Sequence, residues 1–253
     1  MNRLLKYLLL VCLCLFAASG HAMVKSPAII KPTIDPLSEA GRAYIEGDYI
    51  KAAKLYRPMA EKGDVEAQLI LGSMHDTGLG VTQDFKEAVK WYRMAAEQGN
   101  AKAQSKLGSM YDIGLGVPRD TGEVLKWWRL AAEQGDAFAQ LNLGAIYDHG
   151  KDVPQDFKEA VKWYRLAAEQ GNVFAQEKLG WKYILGNGVP QDDVLAYMWL
   201  NIAVSNDFTP GRKVANQQRI QQRDAIARRM TAGQIAKAQE LTRKCIAMKF
   251  KGC

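Results

Sequence analysis

The chain has 253 residues, of which 48% are hydrophobic and 24% charged, with a formal net charge of +7. That is enough chain for a large buried surface. Beyond the N-terminal segment no stretch approaches the ~20 apolar residues of a transmembrane helix. The charge excess is modest and interspersed: Glu97, Glu133 and Glu169 sit beside lysines and arginines of their own helices. Such a balance favours anionic partners without the Lys/Arg block of a nucleic-acid footprint, so no nucleic-acid partner is expected.

Residues 1–22 place Arg3 and Lys6 before an apolar run from Leu8 to Phe16, with small residues Gly20 and Ala22 at the end. This pattern predicts an export signal cleaved near Ala22, giving a periplasmic or secreted protein; a retained N-terminal anchor is the other reading. Cys12 and Cys14 follow Val11 and Leu13, not the small residue a lipid-acceptor cysteine requires, so lipidation is not expected.

From residue 37 the chain repeats. Trp91, Trp127, Trp163 and Trp199 stand 36 residues apart, and Gly72, Gly108, Gly144 and Gly180 keep the same interval. A period of that length marks an array whose units complete one another's cores. The units run at about 37–64, 65–100, 101–136, 137–172 and 173–207, the first with a shortened loop at Gly47 and Asp48 and the last without the Gln-Gly ending. Each full unit reads as helix, loop, helix. Asp64, Asn100, Asp136 and Asn172 are placed to cap the first helix, and Gly63, Gly99, Gly135 and Gly171 to end the preceding one in the left-handed conformation. Asp84 with Glu87, and Asp156 with Glu159, predict capping boxes at the second helix. Apolar stripes such as Phe157, Val161, Tyr164 and Ala168 face others such as Ala139, Leu143 and Tyr147. The evenly spaced tryptophans then form a packed column. Asp152 replaces the second loop glycine, a substitution that is tolerated less well if the position needs positive φ. Pro58 is expected to kink its helix.

The pattern A-x-A-Q, L-G, Y, G-x-G-V and A-V-x-W-Y-x-x-A-A-E-Q-G resembles the Sel-one-like repeat family, relatives of the tetratricopeptide repeat, over about residues 40–207. Ala67 with Gln68, Leu71 with Gly72, Trp91 with Tyr92, and Ala95 with Ala96 fall on its structural positions. The resemblance implies an all-α, right-handed superhelical solenoid that serves chiefly as a protein-binding scaffold in bacterial envelope and host-interaction proteins. It implies no single reaction. Some cysteine-rich relatives are linked to β-lactam binding or hydrolysis, but their units are stapled by paired cysteines and the repeats here contain none.

Residues 212–248 read as two further helices. Thr231 and Gln234 offer a capping box, and the pair forms a C-terminal helical cap or, alternatively, a separate partner-binding element. Cys245 and Cys253 either close a short loop by a disulfide or remain free or intermolecular thiols.

Chemistry has few candidates: His75 and His149 occupy noncorresponding repeat positions, and no zinc motif or nucleophile elbow is present. No catalytic residue, metal or cofactor is expected. His75 stands where other units have tyrosine, and His149 sits near a helix end, so structural roles fit both. Binding is better marked. On the first helices Glu66, Ile70 and Ser73 become Lys102, Lys106 and Ser109, then Phe138, Asn142 and Ala145, then Phe174, Lys178 and Trp181. Those offsets share one helical side. Lys102, Lys106, Phe138, Asn142, Phe174, Lys178 and Trp181 are therefore the candidate partner-binding residues, with aromatics as anchors and lysines orienting an acidic segment. Alternatively, Phe138 and Phe174 seal the seams between repeats. The expected function is an exported scaffold for a protein or extended peptide in the envelope. The second reading is a peptidoglycan-associated binder or a β-lactam or peptidoglycan hydrolase, with cell-wall contact.

Overall fold

A computed structural model describes residues 38–150, 152–206 and 213–253, all within the compact unit spanning residues 32–253. The leader predicted at residues 1–22 lies outside the described residues. These residues form twelve α-helices and no strand. They are α1 (Glu39–Glu46), α2 (Tyr49–Glu61), α3 (Val65–Thr77), α4 (Phe85–Glu97), α5 (Ala101–Ile113), α6 (Thr121–Glu133), α7 (Ala137–His149), α8 (Phe157–Ala168), α9 (Val173–Leu185), α10 (Asp193–Asn206), α11 (Lys213–Ala227) and α12 (Ala232–Ala247). Each helix from α1 to α10 packs on the next in the chain, and α10 carries both α11 and α12. The result is an all-α solenoid whose core is built from neighbour contacts.

The junctions between units are compact because one residue serves two helices. Asp64 donates its N–H to the Met59 carbonyl and Gly63 donates to Ala60, a Schellman closure of α2 with Gly63 at φ +97°. The Asp64 side chain then accepts the Ala67 N–H at 2.7 Å and starts α3. Asn100, Asp136 and Asn172 cap α5, α7 and α9 in the same way. The capping boxes predicted at the second helices form only by half. Asp84 and Asp156 accept the expected N–H groups, but their own N–H groups donate to the His75 and Tyr147 carbonyls, tying loop to helix. Glu87 and Glu159 instead pair with Lys90 and Lys162. α2 runs through Pro58 to Glu61, with Pro58 on the exposed side, where water can satisfy the carbonyl it leaves without a donor.

The second glycine of each interhelical loop makes a close inter-repeat approach. At Gly80, Gly116 and Gly188 φ is +73°, +73° and +79°, and an added Cβ would lie 2.2–2.3 Å from the backbone of Tyr49, Phe85 and Phe157 respectively. Asp152 does adopt positive φ, at +64°. In the helix before it, Ile146 and Tyr147 are only half-buried, whereas Met110 and Tyr111 of α5 are 4% and 8% exposed.

Polar ladders repeat along the array. Gln68, Gln104 and Gln140 donate to the Ala60, Ala96 and Ala132 carbonyls and accept from Gln98, Gln134 and Gln170 at 2.8, 2.7 and 2.8 Å. Arg93, Arg129 and Arg165 donate to the hydroxyls of Tyr111, Tyr147 and Tyr183 in the following unit. The column residues Trp91, Trp127, Trp163 and Trp199 are all buried. Gly108 admits the Trp128 ring, to which an added Cβ would come within 2.5 Å.

At the C-terminal end Thr231 and Gln234 form a complete capping box. Cys245 and Cys253 are joined by a disulfide across a Cα–Cα distance of 5.6 Å. The turn between them passes through positive φ at Lys249, Phe250 and Gly252, and returns Phe250 against Gly171 and the core around Trp199 and Ile202.

Candidate functional site

The seven residues singled out on the first helices occupy one register on α5, α7 and α9, but their surroundings differ. Lys102 and Lys178 are exposed. Lys106 is half-buried in the seam between Asp76 of α3 and Asp136 of α7. Burial pulls its ammonium below the usual lysine range, while the two carboxylates act the other way. Asp76 mirrors this: burial raises its carboxyl, opposed by Lys106 and by the Tyr92 hydroxyl, which donates to it at 3.4 Å. Tyr164 donates likewise to Asp148 at 3.2 Å. The recurring aspartates at 76 and 148 thus accept hydroxyls in the seams.

Phe138 is 47% exposed and meets the buried Trp128 edge-on at 6.4 Å between centroids, so it closes a seam with one edge and shows the other to solvent. Asn142 donates to the Phe138 carbonyl at 2.9 Å, which commits its amide to its own helix. Trp181 is 36% exposed. Phe174 has a neighbour that no repeat position predicts: the Arg219 guanidinium of α11 lies 5.6 Å from its ring centroid, while Arg219 Nε donates to Glu177 at 2.7 Å. With Arg219 only 2% exposed, the cap rests on this part of α9.

Beside Trp181 sits a residue that spacing alone passes over. Lys182 stands where other units have Met74, Met110 and Ile146, and it is 5% exposed. Its ammonium pairs with Asp148 of the preceding unit and lies 4.8 Å from the Phe157 ring centroid. The signal available in the sequence was a charged residue at an otherwise apolar repeat position. His75 is buried at the tyrosine position of the Arg–Tyr ladder, and neither ring nitrogen has a hydrogen-bond partner among the described residues. His149 Nδ1 contacts the Ala145 carbonyl at 2.6 Å, closing its own helix end.

The second helices form a different feature, a trough of about 740 Å³ between α6 and α8. Trp163 and Leu166 give it an apolar wall, Gln170 an amide edge, and Arg129, Lys162 and Lys251 its cations, with Lys251 arriving from the C-terminal turn. Lys162 lies 5.0 Å from the Trp163 ring centroid and 3.0 Å from Glu159. The same Lys–Trp–Glu group recurs at Lys126, Trp127 and Glu123, and at Lys90, Trp91 and Glu87. Comparing units for divergence cannot find a trough lined by what they share.

A neighbour-built helical array with one variable face defines a repeat scaffold. The family model for the Sel1 repeat matches residues 37–64, 65–100, 101–136, 137–172 and 173–208, and the chain belongs to the Sel1 repeat family. Proteins of this family generally serve as protein–protein interaction scaffolds, and the fold is generally non-enzymatic. Among solved structures, a Sel1 repeat protein from Oxalobacter formigenes is 36% identical with a TM-score of 0.62, covering 66% of this chain and 68% of that one. A protective antigen present in uropathogenic Escherichia coli strains, displaying an SLR fold, is 28% identical with a TM-score of 0.41, covering 83% and 61%. Comparison with curated proteins finds no match.

Proposed function

We propose that the protein is an exported scaffold that holds a protein segment or extended peptide of the bacterial envelope against the variable face of α5, α7 and α9. The carrying observation is the division of labour along these helices. Most seam contacts are made by residues that repeat, whereas Phe138 is large and exposed where the two preceding units have Glu66 and Lys102, and Trp181 where the others have Ser73, Ser109 and Ala145. Partly exposed aromatics on a rigid frame supply anchor area at small entropic cost, and Lys102 and Lys178 beside them steer an acidic segment by long-range attraction. Lys106 contributes from the seam. Asn142 and Phe174 border the face, the latter through the cap. Export is supported by the leader-like residues 1–22 and by the disulfide, which belongs to an oxidising compartment.

Capture from envelope extract with the wild type and with F138A/W181A tests this reading. Specific partners are expected to be lost from the double variant at low and high salt, because a ring anchor is insensitive to screening. K102A/K178A is expected to fall below the wild type chiefly at low salt, the difference shrinking as salt rises and screens the lysines' attraction. Equal recovery of every specific partner by all three proteins overturns the proposed face. Incubation with peptidoglycan addresses the wall-binding alternative: cosedimentation without soluble fragments supports binding, and released fragments would establish hydrolysis.

A further inference from the structure

Whole-chain charge conceals a strong segregation. Residues 212–253 hold eleven lysines and arginines against two acids, a formal +9 when the entire chain is only +7, so residues 1–211 sum to −2. Within the repeats the charges are interspersed, and the positive excess is concentrated at the capped end. Some of it is consumed internally: Arg219 pairs with Glu177, Arg223 with Asp224, Arg229 with Asp193 and Lys244 with Glu240. Lys237, Arg243, Lys249 and Lys251 are exposed and make no ion pair among the described residues.

Helix geometry puts these charges on one side. α12 buries Ala238, Thr242 and Cys245, which define its inward stripe. Lys237, Arg243 and Lys244 lie on the opposite arc at ~100° per residue, with Glu240 among them paired to Lys244, which leaves the arc net positive. Lys249 continues the basic segment into the turn that the Cys245–Cys253 disulfide closes, while Lys251 of the same turn borders the trough between α6 and α8. Two apolar side chains stand at the same end: Ile246 is 41% exposed and Met248 52% exposed. Phe250 is turned inward against Gly171, so the turn presents no aromatic platform for stacking on a base.

We propose that the outer face of α12 and its disulfide-closed turn bind an anionic phospholipid surface. A shallow arc with an excess of cations, Lys237 and Arg243 making no ion pair among the described residues, matches the spread negative potential of lipid headgroups. Ile246 and Met248 at the edge of that arc add apolar area that reaches the acyl boundary. Because the cations ring the outside of a single helix, they suit a flat, extended anion better than a threaded acidic peptide. The disulfide ties the turn that carries Lys249 to the helix, so less ordering is required on contact. Among the described residues no helix is long and apolar enough to cross a membrane, and contact through α12 leaves α5, α7 and α9 to a protein partner.

The test is cosedimentation of the full chain with phosphatidylglycerol-containing vesicles and with pure phosphatidylcholine vesicles, at low and at physiological salt. Binding is expected only to the anionic vesicles, weakening as salt rises. K237E/R243E should lower the partition coefficient at least ~10-fold, given the usual contribution of each basic residue near such a surface. M248S should lower it by a smaller factor that does not depend on salt. Both variants change exposed side chains, and unaltered thermal unfolding verifies that they remain folded. Equal binding to neutral vesicles, no binding to anionic ones, or full retention by K237E/R243E overturns the proposal. So does capture by polyglutamate or duplex DNA in the absence of vesicle binding. F138A/W181A should bind vesicles normally, which keeps a failure of the scaffold reading separate from a failure of this one.

Discussion

Substitution of Gly116 by alanine isolates the role of the loop in joining one unit to the next. Gly116 and Gly135 both have positive φ, +73° and +91°, so alanine at either carries the left-handed penalty of about 1–2 kcal/mol. Their neighbours differ. At Gly135 an added Cβ meets nothing within 4 Å, whereas at Gly116 it would lie 2.2 Å from the Phe85 carbonyl oxygen and 2.4 Å from its carbon. Those atoms are backbone at the start of α4, so relief requires moving a helix end away from the loop. Overpacking of that kind costs a further ~1–3 kcal/mol. G135A should therefore lose about 1–2 kcal/mol and G116A about 2–5 kcal/mol. Urea unfolding followed by far-UV circular dichroism gives the totals, and hydrogen exchange locates the damage. In G116A the amides of α4 and α5 should exchange faster while those of α9 and α10 are spared, because a solenoid couples neighbours. Equal destabilisation by the two alanines, or exchange changes spread evenly along the array, would refute the argument.

Replacing Asp152 with glycine should stabilise by ~1 kcal/mol, since the native φ of +64° suits glycine, and should slow exchange in the last turn of α7; a loss of stability argues against strain there. Lys182→Met restores the residue type of other units but leaves Asp148 buried with only Tyr164 donating, so a loss of ~3 kcal/mol is expected by chemical denaturation, falling when Asp148→Ala is added. Cys253→Ser should cost somewhat less than ~3 kcal/mol, with faster exchange confined to the end of α12, and nonreducing peptide mapping of the wild type should show the intramolecular link. Asp76 has its carboxyl raised by burial, so its favourable contribution is complete below the ordinary value of 3.8 and is lost as pH climbs through the raised one. Against D76N, the wild type should therefore lose relative stability on going from strongly acid to neutral pH; a gain would reverse the sign assigned to its burial.

The repeat and its helix boundaries were legible because they rest on local chemistry. An Asp or Asn at the start of a helix and a glycine just before it act within a few residues, and four junctions share the same solution. The capping boxes show where local reading stops. Glu87 has the correct spacing, but the Asp84 N–H it would accept is taken by the His75 carbonyl, a partner set by how the loop folds back. The candidate face was legible only as divergence. Spacing placed Phe174 and Trp181 on one side of α9, yet could not show that Arg219, some forty residues later, would rest on Phe174. The trough between α6 and α8 escaped for the opposite reason, being lined, Lys251 apart, by side chains that the full units largely share. The basic cap was present in the sequence throughout, but a net charge summed over the chain averages it against the acidic repeats.

The end of the array shows why its cap had to be built from unrepeated residues. In each complete unit the first-helix glutamine accepts from the glutamine that closes the second helix, as Gln140 does from Gln170. The last unit ends in Asn206, one methylene shorter, whose amide donates to the Gly171 carbonyl at 2.8 Å. Gln176 is consequently fully buried with its Oε1 accepting no hydrogen bond among the described residues. An unmet buried acceptor of this kind costs ~1–3 kcal/mol. The glutamine pair inside each complete unit is thus missing from the last one, although Gln176 still donates to the Ala168 carbonyl across the seam at 3.1 Å. What covers the terminal core instead includes Phe250 against Gly171, Cys245 beside Trp199 and the disulfide that holds the turn in place, with Arg219 of α11 paired to Glu177. Since none of these contacts requires α12 to present repeat residues outward, its solvent face is free to carry Lys237, Arg243 and Lys244.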